Sequence, residues 1–191
     1  MTETTTAKVR EEQVTGLTAE NAHRVKEQAR LAVEKSYYTE LLLESSQKLQ
    51  QSQTELDCLR MTAEQLSRLF DRPVLYALSR GDAELSFRAE PPEASPLLSQ
   101  LGLEELGVAK WVQKNNRHAG ATTHTLPDSK WLFLSVRGTR GVMGIVGVPI
   151  AGYRIPDAFE KNLMIAILSQ CGLSQERIRL QDAHASAAPP S

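Results

Sequence analysis

Two apolar runs, residues 131–136 (Trp-Leu-Phe-Leu-Ser-Val) and 142–148 (Val-Met-Gly-Ile-Val-Gly-Val), flank the stretch Arg137-Gly138-Thr139-Arg140-Gly141. Strand-forming residues on either side of a glycine-containing turn read as a β-hairpin. The rest of the chain is organised around it. Residues 103–115 read as a helix, with Leu106, Ala109, Trp111 and Val112 inward and Lys110, Gln113 and Lys114 outward. A polar loop over 115–129 then carries Ala119-Gly120, Thr123 and Thr125-Leu126-Pro127. Loops of that length in compact domains are often functional or mobile. Helix, polar loop and hairpin in this order suit a small-molecule sensing domain whose loop lies over a sheet. Gly141, Gly144 and Gly147 recur every third residue. They read first as points of close helix approach or sheet curvature, and second as room for a ligand.

Upstream, residues 1–16 are rich in Thr and Glu without periodicity and read as a disordered segment or a fraying helix start. From Leu17 the pattern turns helical, with Thr18 as N-cap. Ala22, Val25, Ala29 and Ala32 recur at spacings of three and four, and Tyr38, Leu42, Ser45 and Leu49 continue the stripe. Residues 17–53 therefore form a long amphipathic helix whose narrow apolar face suits another helix better than a sheet. That stripe predicts a homodimer through the N-terminal helix. Gln50-Gln51-Ser52-Gln53 interrupts the pattern, and Thr54 with Asp57 looks like a capping box. A break falls near Ser52, followed by a helix over 54–70 that Pro73 cannot continue.

Residues 74–79 read as a strand and 80–82 as a turn. Residues 84–90 alternate polar and apolar as a half-buried strand that ends at Pro91-Pro92. A short helix falls within 96–101. Pro156-Asp157 opens a final helix in which Phe159, Leu163, Ile167, Cys171 and Leu173 share helical spacing. The Ala-, Ser- and Pro-rich residues 181–191 read as a disordered tail. The order fits an α+β fold, an antiparallel sheet of four to six strands flanked by helices. Residues 115–129 leave room for a strand without a signal of its own.

Composition narrows function. Twenty-two basic residues face 23 acidic ones, a net charge of −1, which argues against a nucleic-acid-binding surface. Aromatics at 5% are too sparse for base-stacking platforms. Cys58 and Cys171 both fall in helical stretches and read as buried, reduced thiols rather than a disulfide or a metal site. No histidine stands at metal-ligand spacing from a second His or a carboxylate, no catalytic set is evident, and no Gly-rich phosphate loop occurs. His184 lacks the helical context of a phosphoacceptor. No secretory leader is visible, and no stretch approaches the ~20 apolar residues that span a bilayer. As written, the chain reads as soluble.

Ala119-Gly120-x-x-Thr123-x-Thr125-Leu126-Pro127, followed by an aromatic-apolar strand and Gly141-Val142-x-Gly144-Ile145-Val146-Gly147, resembles the GAF-like cytoplasmic domain of Kdp-type potassium-sensor histidine kinases. The resemblance covers about residues 17–180. The chain departs from that pattern at His124, where the family often has an acidic residue, and at Ser135-Val136, where it usually has Pro-Leu. The resemblance implies a GAF-like domain over 54–180, preceded by a signalling helix, with first and last helices on one face of the sheet. It implies a regulatory sensory and signal-transmission segment of a two-component kinase that controls potassium uptake or the osmotic response. Such a parent sits in the inner membrane, phosphorylates its own histidine with ATP and passes the phosphoryl group to a response regulator. This segment is its cytoplasmic portion, with no cofactor of its own. The rival readings are a GAF module that binds a nucleotide or metabolite, and a ligand-free dimerisation scaffold. Methionine-sulfoxide reductase chemistry, also hosted by GAF-like folds, needs reactive cysteines in the pocket, and both cysteines here lie on helices.

The polar loop is the best candidate ligand site. Thr122, Thr123, His124 and Thr125 offer hydroxyls and an imidazole, and a pocket needs a few such groups over an apolar floor. Trp111, Trp131 and Phe133 are the candidate floor, and Arg137, with Lys130 and Arg140, the candidate anion contact. Each has a plainer role. Thr123 and Thr125 can hold the loop by local bonds to backbone, the tryptophans can be core, and the basic residues can be solvated strand ends.

Overall fold

The computed structural model describes residues 3–187 and divides into two units, with the boundary between Leu41 and Leu42. The first helix, α1, runs Glu3–Gln50. Of the two expectations for residues 1–16, a disordered segment or a helix start, residues 3–16 follow the second, and residues 1–2 lie outside those described. The early segment is half good helix formers (Glu, Ala, Lys, Arg, Gln) and half Thr, Val and Gly, and Gly16 costs about 1 kcal/mol in a helix. Within the first unit, Ala22, Val25, Ala29 and Ala32 are all exposed.

The second unit opens with the last turns of α1. Here the expected free stripe needs correction, because Ser45 and Leu49 are buried in the domain. Four non-helical residues, Gln51–Thr54, follow, and α2 spans Glu55–Phe70. The Thr54 side chain accepts a bond from the Asp57 amide at 3.1 Å, so the capping residues do stop one helix and start the next. At the far end Asp71 is left-handed (φ 46°) and its N–H closes onto Ser67 O.

Strands β1 (Val74–Leu78), β2 (Arg88–Glu90), β3 (Ala119–Gly120), β4 (Trp131–Gly138) and β5 (Gly141–Pro149) form one antiparallel sheet in the order β2-β1-β5-β4-β3. The alternation over 84–90 makes a ladder only at its end, where Val74 pairs with Glu90 and Tyr76 with Arg88. Leu85 and Phe87 instead tuck against the core from irregular chain. A 3-10 helix covers Pro92–Gln100, α3 spans Leu103–Asn115 as the spacing predicts, and α4 spans Ala158–Ala187. The tail is thus helical to Ala187, and residues 188–191 lie outside those described.

The hairpin β4–β5 is buried along most of its length, and alternate residues on a strand face opposite ways. Leu75, Phe133, Trp131 and Ile145 pack with Val108, Ala109 and Val112 of α3. The other face meets α2 and α4, which supply Leu59, Ala63, Leu66, Met164, Ile167 and Leu168 to a second buried layer. The glycines fit this arrangement. A Cβ on Gly144 would come within 3.0 Å of Leu59 of α2, and one on Gly147 within 2.9 Å of the Phe133 ring. Three residues apart, they face opposite sides, and the protein's own side chains take the space at both.

α4 lies against the sheet backbone at Gly172, where a Cβ would sit 2.0 Å from Arg137 O. Gly107 of α3 has open space at its Cβ position. Gly107 and Gly172 therefore respond oppositely to alanine. Gly107→Ala should stabilise by up to about 1 kcal/mol through helix propensity. Gly172→Ala should destabilise by about 1–3 kcal/mol or more, because the clash is with backbone and overpacking outweighs propensity. Urea midpoints of the two variants check both signs.

Candidate functional site

The 116–130 loop is held mainly by its own backbone and by α3. Gly120 is left-handed (φ 99°), and a Cβ there would stand 2.1 Å from Trp131 O, so no other residue fits. Gly120 N–H donates to Thr125 O at 2.8 Å. The Thr123 hydroxyl donates to Gly120 O at 2.7 Å and also reaches Thr125 O at 2.8 Å, and it accepts the Thr125 amide at 3.1 Å. Thr123 is therefore a staple of the loop, the side-chain-to-backbone role open to it from the sequence.

Two buried polar side chains of α3 fix the flanking segments. The Glu105 carboxylate accepts the Ser129 hydroxyl and, at 3.0 Å, the Lys130 amide. Gln113, expected on the outward face, is buried, and its amide donates to Ser79 Oγ and Ala83 O at 3.2 Å each. The inward face of α3 is wider than the apolar pattern indicated because buried chain segments on both sides need partners.

His118 is the residue that sequence spacing missed. It precedes β3, and its Nδ1 accepts the Ser135 amide at 3.1 Å. That bond fixes the neutral tautomer with the proton on Nε2. Desolvation, with a smaller push from the Arg137 guanidinium, lowers its pKa to about 4. His118, Thr122, Thr123, Leu132, Leu134, Lys161, Met164 and Ile165 enclose a cavity of about 90 Å³ between loop, sheet and α4. Thr122 is left-handed (φ 66°), and its hydroxyl is buried without a partner. The cavity has room for about three waters at ~30 Å³ each. Ligand pockets for metabolites are several-fold larger, about 300–1,000 Å³.

The remaining candidates lie elsewhere. His124 is exposed, and Thr125 contributes its backbone to the staple. Trp131 is only 2% exposed and stacks on Phe133 with ring centroids 6.4 Å apart. Trp111 is half-buried at the edge of the same cluster. Both tryptophans serve the α3 face of the sheet and do not line the loop cavity. Arg137 is exposed and donates from Nε to Ser135 Oγ at 3.1 Å. Among the described residues no group of three or more His, Cys, Asp or Glu is placed to hold a metal ion. No helix among them is long and apolar enough to cross a membrane.

No family model matches this chain. Its structure is similar to the native GAF domain of the potassium sensor histidine kinase KdpD from Escherichia coli, with a TM-score of 0.59 at 18% identity over 76% of this chain and 97% of that one. It is similar also to the GAF domain of a putative sensor histidine kinase from Pseudomonas syringae pv. tomato (TM-score 0.57, 14% identity, 84% and 99% covered). The GAF domain of the Acinetobacter phosphoenolpyruvate-protein phosphotransferase is a third neighbour (TM-score 0.52, 17% identity, 80% and 96% covered). The chain has the GAF fold.

In this GAF fold the α3 face of the sheet is filled by Phe133, Trp131, Phe87 and Val112, with Phe87 and Phe133 rings 6.1 Å apart. The buried imidazole gives the domain a pH dependence. Unfolded, His118 titrates near 6.5; folded, it stays neutral until about pH 4. Its stabilising contribution is thus complete above pH 6.5 and falls away as the pH drops from 6.5 to 4. The ceiling is about 3 kcal/mol, reduced because the ring is partly solvated. Wild type should lose more stability than His118→Gln between pH 7 and pH 4.5 in urea titrations, and parallel loss in both would remove His118 from the account.

Proposed function

We propose that this chain is the signal-transmission GAF module of a sensor histidine kinase of the Kdp type, acting in potassium uptake or the osmotic response. The observation that carries this reading is the grip of α4 on the helix junction. Arg177 Nη2 reaches the carbonyl oxygens of Leu49, Gln50 and Ser52 at 3.5, 3.4 and 3.5 Å. Leu49 and Gln50 belong to the last turn of α1, where a cation is favoured, and Ser52 lies just beyond it. Two residues to either side, Gln175 donates to Glu55 O at 3.0 Å and Arg179 donates to the Glu55 carboxylate at 3.0 Å. The helix that leaves the domain thus holds both the end of the entering helix and the start of α2.

The exposed faces agree with a relay. Phe159, Ala166, Leu173 and Leu180 repeat every seven residues on α4, and Leu173 and Leu180 are 68% and 59% exposed. A seven-residue apolar repeat suits a helical seam. On α1, Val25 and Val33 are 64% and 69% exposed. In this reading two copies pair through these helices into a homodimer. The parent kinase, anchored in the inner membrane, supplies the ATP-dependent histidine phosphorylation and the transfer to a response regulator. The cytoplasmic module passes a shift of α1 on to α4, because packed interfaces have discrete arrangements. The rival, a metabolite-binding module, draws little support from a loop cavity of about 90 Å³.

In a full-length kinase, one residue inserted at Ser52 turns α1 by about 100° relative to the domain. That insertion should lock kinase output on or off, and seven inserted residues, about two turns, should largely restore regulation. Loss of regulation in Thr122→Ala with Thr123→Ala, with the one-residue insertion tolerated, would favour a ligand sensor. Sedimentation of the chain at micromolar concentration should show a dimer that Leu173→Lys with Leu180→Lys disperses.

A further inference from the structure

The two cysteines, 113 residues apart in sequence, meet in the interior. Cys58 of α2 and Cys171 of α4 are both buried, and their sulfurs lie 3.6 Å apart. The Cys58 thiol also reaches Cys171 O at 3.5 Å. A disulfide needs the sulfurs to close to ~2.05 Å, a movement of about 1.5 Å. The pair lies near the α1–α2 junction, where the Ser52 hydroxyl donates to Met61 Sδ at 3.2 Å and the Arg177 guanidinium acts on the Cys58 thiol. Thr62 Oγ1 donates to Cys58 O at 2.9 Å, one turn back along α2.

We propose that Cys58 and Cys171 are a peroxide-responsive pair that forms a reversible disulfide between α2 and α4. The two thiols are not equivalent. The Cys58 thiol is held down by its bond from Cys171, with help from Ser52 and Arg177, against the cost of burial. Burial and the neighbouring Cys58 push the Cys171 thiol well up. The thiolate is the nucleophile, so Cys58 reacts first. Its sulfur attacks one oxygen of hydrogen peroxide, the O–O bond breaks, and water leaves with the thiol proton, giving a sulfenic acid. Cys171 sulfur then attacks the Cys58 sulfur, the S–S bond forms, the S–O bond breaks, and a second water leaves. Two thiols and one peroxide become one disulfide and two waters. Gln51–Thr54 is the short non-helical link that leads into the turn of α2 carrying Cys58. The bond joins α2 to α4 six residues, about 9 Å, along α4 from Arg177, which holds the end of α1.

The test treats the whole chain with graded hydrogen peroxide, quenches in denaturant with N-ethylmaleimide, and reads the intact mass. The expected product has lost two hydrogens, carries no maleimide, remains a single chain on a non-reducing gel, and yields one linked peptide containing Cys58 and Cys171. Dithiothreitol should restore two alkylatable thiols. Two maleimide adducts after peroxide would overturn the proposal. So would a disulfide between chains, or a sulfinic acid on Cys58 beside an alkylatable Cys171. Cys171→Ser should stop at a sulfenic acid on Cys58 that dimedone traps. If that variant does not fold, the order of attack is read in wild type by brief iodoacetamide labelling, where faster labelling at Cys171 than at Cys58 would overturn it.

Discussion

The hairpin β4–β5 has to be covered on both faces, and the rest of the domain is the consequence. Its strands are apolar on successive residues, so neither face tolerates water. Each large side chain buried there contributes about 1.5–3 kcal/mol. One layer of helices cannot serve two faces, so α3 closes one and α2 with α4 closes the other. Gly144 lets Leu59 of the covering α2 come close, and Gly147 leaves room for the Phe133 ring of the neighbouring strand. Gly172 does the same from the helix side by letting α4 lie on the backbone at Arg137.

Covering a sheet this way buries the chain between its strands, and buried polar groups need partners. Glu105, Gln113, Thr123 and His118 meet that need. Each could be read as a chemical group in an active site. The structure uses each to satisfy an amide or carbonyl that the fold has taken from water. Arg72 does likewise at the exit of β5, donating to Arg154 O at 2.9 Å and lying 5.3 Å from the centre of the Tyr153 ring. A loop held by so many internal bonds is poorly placed to reorganise around a ligand.

The mobile element is better sought where helices meet helices. At the end of α1, one α4 turn reaches the terminal carbonyls of α1 and the first turn of α2. The thiol pair lies within the same contact. Small displacements there move whole helices, whereas displacements in the loop are absorbed by a few local bonds.

Local patterns in the sequence decided the helix limits at Thr54 and Asn115, the hairpin and the α+β class, because caps, periodicity and turn glycines act over a few residues. They also placed both cysteines on helices and gave Thr123 its local role. The register that brings Cys58 against Cys171, the turn of α3 that buries Gln113 and Glu105, and the seating of Ser45 and Leu49 in the domain all depend on partners far along the chain. His118 belongs to that group, since a lone histidine before a two-residue strand carries no periodic signal, and its neutrality comes from Ser135, Arg137 and the burial around it. Residues 3–16 and 181–187 went the other way. Their helical propensity was legible, but the composition there spoke for disorder, and it was backbone hydrogen bonding that kept both stretches in the helices they flank.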